Sequence, residues 1–209
     1  MDISFGEQYR SRGAGAWSAF RADVARTYRI SEGGPLRRAL ECLGTPGLHA
    51  LAVIRFGQWA LACPAGLRIV FDPVYLLLNF GIRILWGIDM SRRTRIGPGL
   101  YIAHFGGIVI SPQAVIGARC NISQGVTIGV SGRGDRAGVP VIGNDVYIAP
   151  GACLFGPIRI GNNAKIGANA AVGQDVPDNA IAVLDPGFRI VSYRGNRDAA
   201  RGDSARNAS

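Results

Sequence analysis

The feature that most constrains this chain is an aliphatic residue at every sixth position over its second half. The run needs only two breaks, a short slip after Ile108 and a longer insertion after Ile128. Its members are Ile96, Ile102, Ile108, Ile116, Ile122, Ile128, Ile142, Ile148, Leu154, Ile160, Ile166 and Val172. An amphipathic helix repeats its apolar residues every three or four positions, and a half-buried strand every two. The six-residue period therefore predicts units that each contain a short strand and a tight turn.

A second pattern supports this interpretation, because the residue after each aliphatic position is usually small. These residues are Gly97, Ala103, Gly117, Ser123, Gly129, Gly143, Ala149, Gly161, Gly167 and Gly173. Stacked units of this kind bury a continuous ladder of aliphatic side chains, which a single unit cannot do. We therefore predict a mainly β fold, a parallel β-helix of hexapeptide repeats preceded by a small α-helical N-terminal domain.

The domain boundaries follow from where the pattern changes. Apolar residues recur at helical spacing upstream of the repeat, so we predict a helical domain over residues 21–88 and a β-helix domain over residues 89–192. The insertion SGRGDRAGVP is too polar and glycine-rich for a core, and it predicts a flap at residues 130–140. Residues 1–20 and 193–209 lack an apolar face, so we expect a flexible N-terminus and a disordered tail.

The chain is basic, with a formal net charge of +9 at pH 7. Such a charge attracts nucleic acid, anionic lipid or a phosphorylated cofactor. The arginines are scattered without interleaved aromatic residues, so no nucleic-acid partner is expected. The four cysteines lie far apart, with neither a CxxC pair nor a nearby histidine. They indicate free thiols in a reducing cytoplasm, and no metal site is expected.

The most apolar stretch covers residues 66–88 and predicts a helix. Arg68, Asp72, Asn79 and Arg83 interrupt it, which are too many polar groups for a stable membrane span. We expect this helix to pack against protein, with peripheral contact to a membrane surface as the alternative. The N-terminal residues do not resemble a secretory signal, so the expected location is the cytoplasm, including the inner face of the membrane.

The motif Ile-Gly-x-x-Ala-x, present as IGNNAK and IGANAA, resembles the hexapeptide-repeat acyltransferases, whose three-faced prism winds left-handedly. The segments GIDMSRRTRIGPGLYIAHFGGIVI, NISQGVTIG, GDR, KIGANAAV and DPGFRIV resemble most closely the serine acetyltransferases. The resemblance implies a left-handed parallel β-helix and acetyl-CoA as co-substrate, with no metal. Each prism face leaves apolar surface that needs a neighbour, so we expect a homotrimer or a dimer of trimers.

The resemblance also implies a catalytic pair. In the family, the histidine of the motif matched by AHFGG takes the proton from the acceptor hydroxyl as that hydroxyl attacks the thioester, a task for neutral imidazole. This role falls to His104, and Asp89, just under one coil earlier in the chain, would orient the imidazole and stabilise its charged form. The alternatives are that His104 caps a corner of the coil and that Asp89 caps the entry to it. His49, the second histidine, is expected to be structural.

Coenzyme A is expected along the outside of the coils, between adjacent subunits. The resemblance carries this role over to Thr127, Gly129, Ala149, Lys165 and Gly167. Lys165, the only lysine of the chain, suits a phosphate group. Glycine and alanine recur throughout the repeat for packing reasons, so each small residue is equally open to a scaffold role.

The acceptor pocket departs from the family pattern. Serine acetyltransferases have aspartate where this chain has Ala103, and histidine where it has Ala137. Glu32 is the nearest match to an aspartate of the family's helical domain, and Arg136 matches the flap arginine, which could bind an acceptor carboxylate or another anionic group. The ammonium group of a free amino acid needs an anionic partner, so the altered positions argue against serine.

The sequence therefore favours transfer of an acetyl group to a sugar or polysaccharide precursor. Serine O-acetylation in cysteine biosynthesis is the alternative, and a non-catalytic β-helix scaffold is a third reading. The family's cysteine synthase partner recognises a C-terminal isoleucine, whereas this chain ends in Asn-Ala-Ser, so no cysteine synthase complex is expected.

Overall fold

The structure, a computed structural model, describes residues 14–132 and 137–184. Its helices are α1 (Ala14–Ile30), α2 (Pro35–Gly44), α3 (Pro46–Ala62) and α4 (Ala65–Trp86). The strands are β1 (Ile88–Met90), β2 (Arg95–Ile96), β3 (Tyr101–Ile102), β4 (Ile108–Ile110), β5 (Val115–Ile116), β6 (Asn121–Ile122), β7 (Thr127–Gly129), β8 (Val141–Ile142), β9 (Tyr147–Ile148), β10 (Cys153–Phe155), β11 (Arg159–Ile160), β12 (Lys165–Ile166), β13 (Ala171–Val172) and β14 (Ile181–Ala182).

Proline and glycine mark the ends of the helices. Pro35 and Pro46 stand in the first turns of α2 and α3, where the missing N–H breaks no helical hydrogen bond. Gly87 ends α4 in the left-handed conformation, with φ of 60°. The expectation of a flexible segment over residues 1–20 is wrong from residue 14 onward, because α1 begins there and buries Ala16 and Ala19. The small side chains of this segment form no apolar pattern in the sequence, but they allow α1 to pack closely against a neighbouring helix.

The strands form three parallel sheets, which are the three faces of a prism. Face 1 contains β1, β4, β7, β10 and β13, face 2 contains β2, β5, β8 and β11, and face 3 contains β3, β6, β9, β12 and β14. Along the first four coils each strand pairs with the third strand after it in the chain, so one coil of backbone visits all three faces. The predicted parallel β-helix with a small helical region before it is confirmed.

The length of a coil varies along the prism. The register pairs Ile88 with Ile108 at the start of the prism, whereas Val109 pairs with Thr127 on the next coil. The first coil is therefore longer than the one that follows it. A third coil is longer still, because it contains the insertion between β7 and β8. Backbone hydrogen bonds of 3.1 and 3.0 Å between Ser131 and Gly138 close the base of that insertion.

The hexad residues fill the interior of the prism. All twelve are buried, and the largest exposed fraction among them is 6%, at Val172. The small residues of the second pattern stand at corners, where the next coil lies directly against them. A Cβ atom on Gly117 would overlap the carbonyl group of Gly143, which explains why this layer excludes larger side chains.

A buried ion pair joins the helical domain to the first coil. Asp23 on α1 and Arg55 on α3 are both fully buried, with 3.0 Å between Arg55 Nε and Asp23 Oδ2. The Arg55 guanidinium also donates to the carbonyl oxygens of Ile96 and Gly97, at 2.9 and 2.7 Å. Asp23 Oδ1 accepts the backbone N–H of Leu100 at 2.8 Å. Burial raises the pKa of the Asp23 carboxyl group, and the Arg55 charge opposes that rise.

Helix α4 leaves most of its apolar side chains exposed. Ile69 and Leu77 are 77% and 71% exposed, whereas Tyr75 and Ile82 are buried. Within the described parts of the chain, α4 is the one helix long and apolar enough to cross a membrane by length and composition. The expectation that this helix packs against protein is therefore met along one side only.

We predict that Arg55→Met destabilises the protein by about 3–5 kcal/mol in the free energy of unfolding, because it leaves the Asp23 carboxylate buried without its partner. Chemical denaturation followed by circular dichroism measures this change. Arg37→Met is the matched control, since its pair with Glu41 is exposed and contributes less than about 1 kcal/mol. Equal effects of the two substitutions would show that the buried pair does not hold the helices in place.

Candidate active site

His104 lies at the corner of the prism between β3 and β4. Gly106 and Gly107 follow it with φ of 100° and 65°, and these conformations turn the chain from face 3 back to face 1. The imidazole is exposed and has no hydrogen-bond partner among the residues that the structure describes. Both ring nitrogens are therefore available to a substrate and to an orienting group.

His104 lines an open groove of about 730 Å³ between this corner and the helical domain. Ala103 and Phe105 lie beside it on the same wall. The opposite wall belongs to the end of α1, the α1–α2 connection and α2, and it carries Glu32 and Glu41. The groove thus places a candidate proton acceptor across from two carboxylates.

Arg37 adds a positive charge to the wall that carries the carboxylates. Its Nε lies 3.2 Å from Glu41 Oε1, and the two residues are one helical turn apart on α2. Both side chains are exposed, so the pair is easily rearranged when a ligand with its own charges arrives. This wall therefore offers carboxylates that could bind an ammonium group and a guanidinium that could bind a carboxylate group, as an amino acid would require.

An aromatic chain supports the corner beside His104. The Phe105 ring contacts Trp86, the last residue of α4, edge to face at 5.4 Å between centroids. Trp86 in turn packs against His49 at 6.0 Å. His49 Nε2 lies 2.6 Å from the Leu43 carbonyl oxygen and donates to it. His49 therefore acts within the helical domain, and α4 fixes the residue next to the candidate base.

The structure does not form the expected pair between Asp89 and His104. Asp89 lies on β1 with a half-exposed side chain, 3.2 Å from the guanidinium of Arg83 on α4. No hydrogen bond or ion pair joins Asp89 to His104 in the described residues. In this arrangement the partner of the Asp89 carboxylate is the Arg83 guanidinium, and the backbone of Asp89 stands in register with Val109 on the neighbouring coil.

The residues expected to bind coenzyme A follow the same corner. Backbone hydrogen bonds stack Ala103, Ser123, Ala149 and Gly167 on successive coils, the N–H of each donating to the neighbouring coil at 2.7 to 3.2 Å. The row starts at the residue before His104 and continues to Gly167. Lys165 is exposed on face 3 two positions before Gly167.

Thr127 and Gly129 lie on β7 of face 1, which adjoins this corner. The expected coenzyme A residues therefore occupy two faces that share one edge. A Cβ atom on Gly167 would approach Val183 to 3.1 Å, so packing accounts for that glycine. Among the described residues, a Cβ atom on Gly129 would meet only Thr127, at 3.8 Å. Packing against the part of the chain that the structure describes does not require a glycine at position 129, which suits a position where a ligand or a neighbouring copy approaches closely.

Arg136 lies outside the described residues, and its expected role has no structural counterpart here. Ala103 is half-buried in the groove wall, as expected for a residue near the acceptor. Sequence reasoning missed Glu41 and Arg37, which look like an ordinary exposed helical pair. It also missed Gln124 in the corner of the next coil, whose side-chain Oε1 is buried and finds no hydrogen-bond partner in the described segments.

Comparisons with known proteins agree with this architecture. A family model described as bacterial transferase hexapeptide (six repeats) matches residues 140–174. The serine acetyltransferase of Mycobacterium tuberculosis is 34% identical over 171 residues, which are 81% of this chain and 71% of the relative. The serine acetyltransferase of Synechococcus elongatus is 36% identical over 152 residues. That match spans 73% of this chain and 59% of the relative's length.

Solved structures show the same likeness. The serine acetyltransferase of Neisseria gonorrhoeae in complex with serine gives a TM-score of 0.70 at 29% identity, covering 90% of this chain and 74% of that one. The serine acetyltransferase of Brucella abortus in complex with coenzyme A gives 0.68 at 28% identity, covering 85% and 68%. By sequence identity, coverage and shared architecture, the chain belongs to the serine acetyltransferase family of hexapeptide-repeat acyltransferases.

Proposed function

We propose that the chain transfers an acetyl group from acetyl-CoA to the hydroxyl group of a free amino acid, L-serine. The observation that carries this proposal is the exposed imidazole of His104 in a groove whose opposite wall holds Glu32 and Glu41. The relatives named as serine acetyltransferases, among them one determined with serine and one with coenzyme A, support it.

His104 is the proposed general base. Its neutral imidazole accepts the proton of the serine hydroxyl while the hydroxyl oxygen attacks the carbonyl carbon of the thioester. The tetrahedral intermediate collapses, the carbon–sulfur bond breaks, and the imidazolium returns its proton to the departing thiolate. The products are O-acetylserine and coenzyme A. No covalent enzyme intermediate is required, because the acceptor attacks the thioester directly.

Asp89 remains the proposed positioning residue for His104. Its ion pair with Arg83 involves side chains that are about half exposed, and such pairs contribute only about 0–1 kcal/mol. The cost of exchanging Arg83 for the imidazole is therefore small. The imidazolium formed during the reaction carries a positive charge, so the Asp89 carboxylate attracts it more strongly than it attracts neutral imidazole.

The two carboxylates of the groove change the argument about the acceptor. The sequence favoured a sugar because Ala103 and Ala137 stand where the family carries serine-binding groups. Glu32 and Glu41 offer the ammonium group of serine an anionic partner from the helical domain instead. A sugar hydroxyl has no positive charge for these carboxylates to meet. We therefore place serine first and the sugar acceptor second.

Coenzyme A is proposed to lie along the corner that runs from Ala103 to Gly167, with Lys165 near its phosphates. The outward side chains of Val109, Tyr147 and Phe155 are 47%, 40% and 39% exposed on the two faces beside this corner. A neighbouring copy of the chain would cover these exposed side chains, and this favours a homotrimer with the cofactor between subunits. The free space at Gly129 is consistent with that arrangement.

Replacing His104 with Ala is expected to lower kcat by about 10²–10⁴-fold, because the substitution removes a positioned general base. The dissociation constant for acetyl-CoA should stay unchanged. Thiol release followed with a chromogenic disulfide measures turnover, and calorimetric titration measures binding. A variant that keeps its turnover would show that another group takes the proton.

Asp89→Asn is expected to lower kcat by about 10–100-fold, less than loss of the base, because it disturbs the orientation and charge stabilisation of His104 alone. Arg83→Gln is the matched control, since it removes the other half of the same ion pair. If Asp89 acts through His104, Arg83→Gln retains or raises kcat, and Asp89→Asn shifts the acidic limb of the pH–rate profile. Equal losses in both variants would mean that the ion pair is merely structural.

The acceptor assignment predicts that L-serine is used with a kcat/KM of about 10⁴ M⁻¹s⁻¹ or more, above any sugar in a panel of hydroxyl acceptors. The double substitution Glu32→Gln and Glu41→Gln should raise the KM for serine by at least about tenfold, because the ammonium group loses its partners. The residual rate with 3-hydroxypropionate, which lacks the ammonium group, is the internal control and should not change. A sugar acceptor that exceeds serine would reinstate the acceptor that the sequence favoured.

A further inference from the structure

The exposed face of α4 is wide and has no charge along its centre. With 3.6 residues per turn, the exposed apolar positions of α4 cover an arc of about 200° around the helix axis. Within this arc, one continuous strip about 100° wide is formed by Ile69, Val70, Pro73, Leu77, Phe80 and Ile84, all of which are exposed. We call these six residues the α4 crest. A face of this width is about twice what a helix needs to pack against a single partner helix.

The charged groups of α4 stand beside the crest rather than on it. Arg68 is in the first turn and Arg83 in the last, with side chains 41% and 53% exposed. Asp72 lies on the packed side, where it pairs with Arg68 at 3.6 Å and with Arg92 at 2.5 Å. Long arginine side chains at the two ends of an apolar face can reach lipid headgroups while the face itself enters the acyl region.

Contacts along the opposite side hold α4 on the protein at both ends. Phe71 packs against Trp59 of α3 at 4.9 Å, near the start of the helix. Trp86 packs against His49 of the same helix at 6.0 Å, and Gly87 then leads directly into β1. Because α3 follows α4 over its length, α4 cannot cross a bilayer without taking α3 with it. Only an orientation parallel to a membrane surface leaves these contacts intact.

We propose that α4 docks on the surface of an anionic lipid bilayer, with the α4 crest inserted below the headgroups and the helix axis in the membrane plane. The width of the face favours a lipid surface over a second copy of the chain. The net charge of +9 favours an anionic surface, since basic proteins accumulate at negatively charged membranes. This proposal does not depend on which acceptor the acetyl group reaches.

The test is flotation of the purified full chain with vesicles of phosphatidylcholine and phosphatidylglycerol, and with phosphatidylcholine alone. We expect the protein to float with the anionic vesicles and to bind the neutral vesicles at least tenfold more weakly. The triple variant Ile69→Gln, Leu77→Gln and Ile84→Gln should lose at least about 100-fold in partition coefficient, because three side chains that are 77%, 71% and 64% exposed no longer gain from burial.

The matched control is the triple variant Ile181→Gln, Val183→Gln and Leu184→Gln on the last coil, where the side chains are 67%, 68% and 56% exposed. It should float like the unaltered chain, and circular dichroism should show that both variants remain folded. Failure of the unaltered chain to float, or flotation of the α4 variant at full strength, overturns the proposal. A third outcome also overturns it: the unaltered chain does not bind lipid but forms an assembly, and substitution of the α4 crest dissociates that assembly. The α4 crest would then join copies of the chain.

Discussion

The buried pair of Asp23 and Arg55 determines where the helical domain stands on the β-helix. Two charges out of water are tolerated only when every hydrogen-bonding group finds a partner. Here the partners include backbone groups of Ile96, Gly97 and Leu100, all in the first coil. The helices can therefore satisfy this pair in one place only, directly over the coil whose corner carries His104. The groove and its two carboxylates exist because of that position.

The β-helix contributes a straight edge to the site. Aliphatic side chains fill the interior, so the outside of each corner is left to small residues and backbone. The row from Ala103 to Gly167 begins beside the candidate base and runs parallel to the prism axis. A long, narrow cosubstrate fits an edge of this kind better than a closed pocket. The proposed acceptor groove and the proposed cofactor edge thus meet at His104 from different domains.

Helix α4 links three features that lie far apart in the sequence. Trp86 supports Phe105 beside the base, Arg83 holds the Asp89 carboxylate, and the opposite side presents the α4 crest. Any surface that receives the crest will therefore lie close to the corner that bears His104. The arrangement requires α3, which packs along α4 and also carries Arg55, to serve as the common support.

Much of the fold was determined by local pattern. A six-residue period with small residues after each aliphatic position leaves few architectures besides a stacked parallel coil, and it predicted which twelve side chains are inside. The motif around His104 and the row of small residues were also visible in the sequence, because both depend on neighbours within one or two coils. The expected pairing of Asp89 with His104 is not formed, and the sequence did not predict that Arg83, on the helix before the first coil, would take the Asp89 carboxylate instead.

Tertiary structure alone decided the rest. The Asp23–Arg55 pair joins residues 32 positions apart on two helices, and nothing in the local sequence distinguishes them from surface charges. Glu41 became a candidate acceptor ligand only when the helices were placed over the first coil, where it lines the same groove as Glu32, which the sequence had already suggested. The prediction of a flexible N-terminus was wrong beyond residue 13, because the burial of Ala16 and Ala19 depends on contacts with another helix. Hydrophobic periodicity is local and can be read along the chain, whereas the pairing of charges between helices depends on how the packed elements are arranged in space.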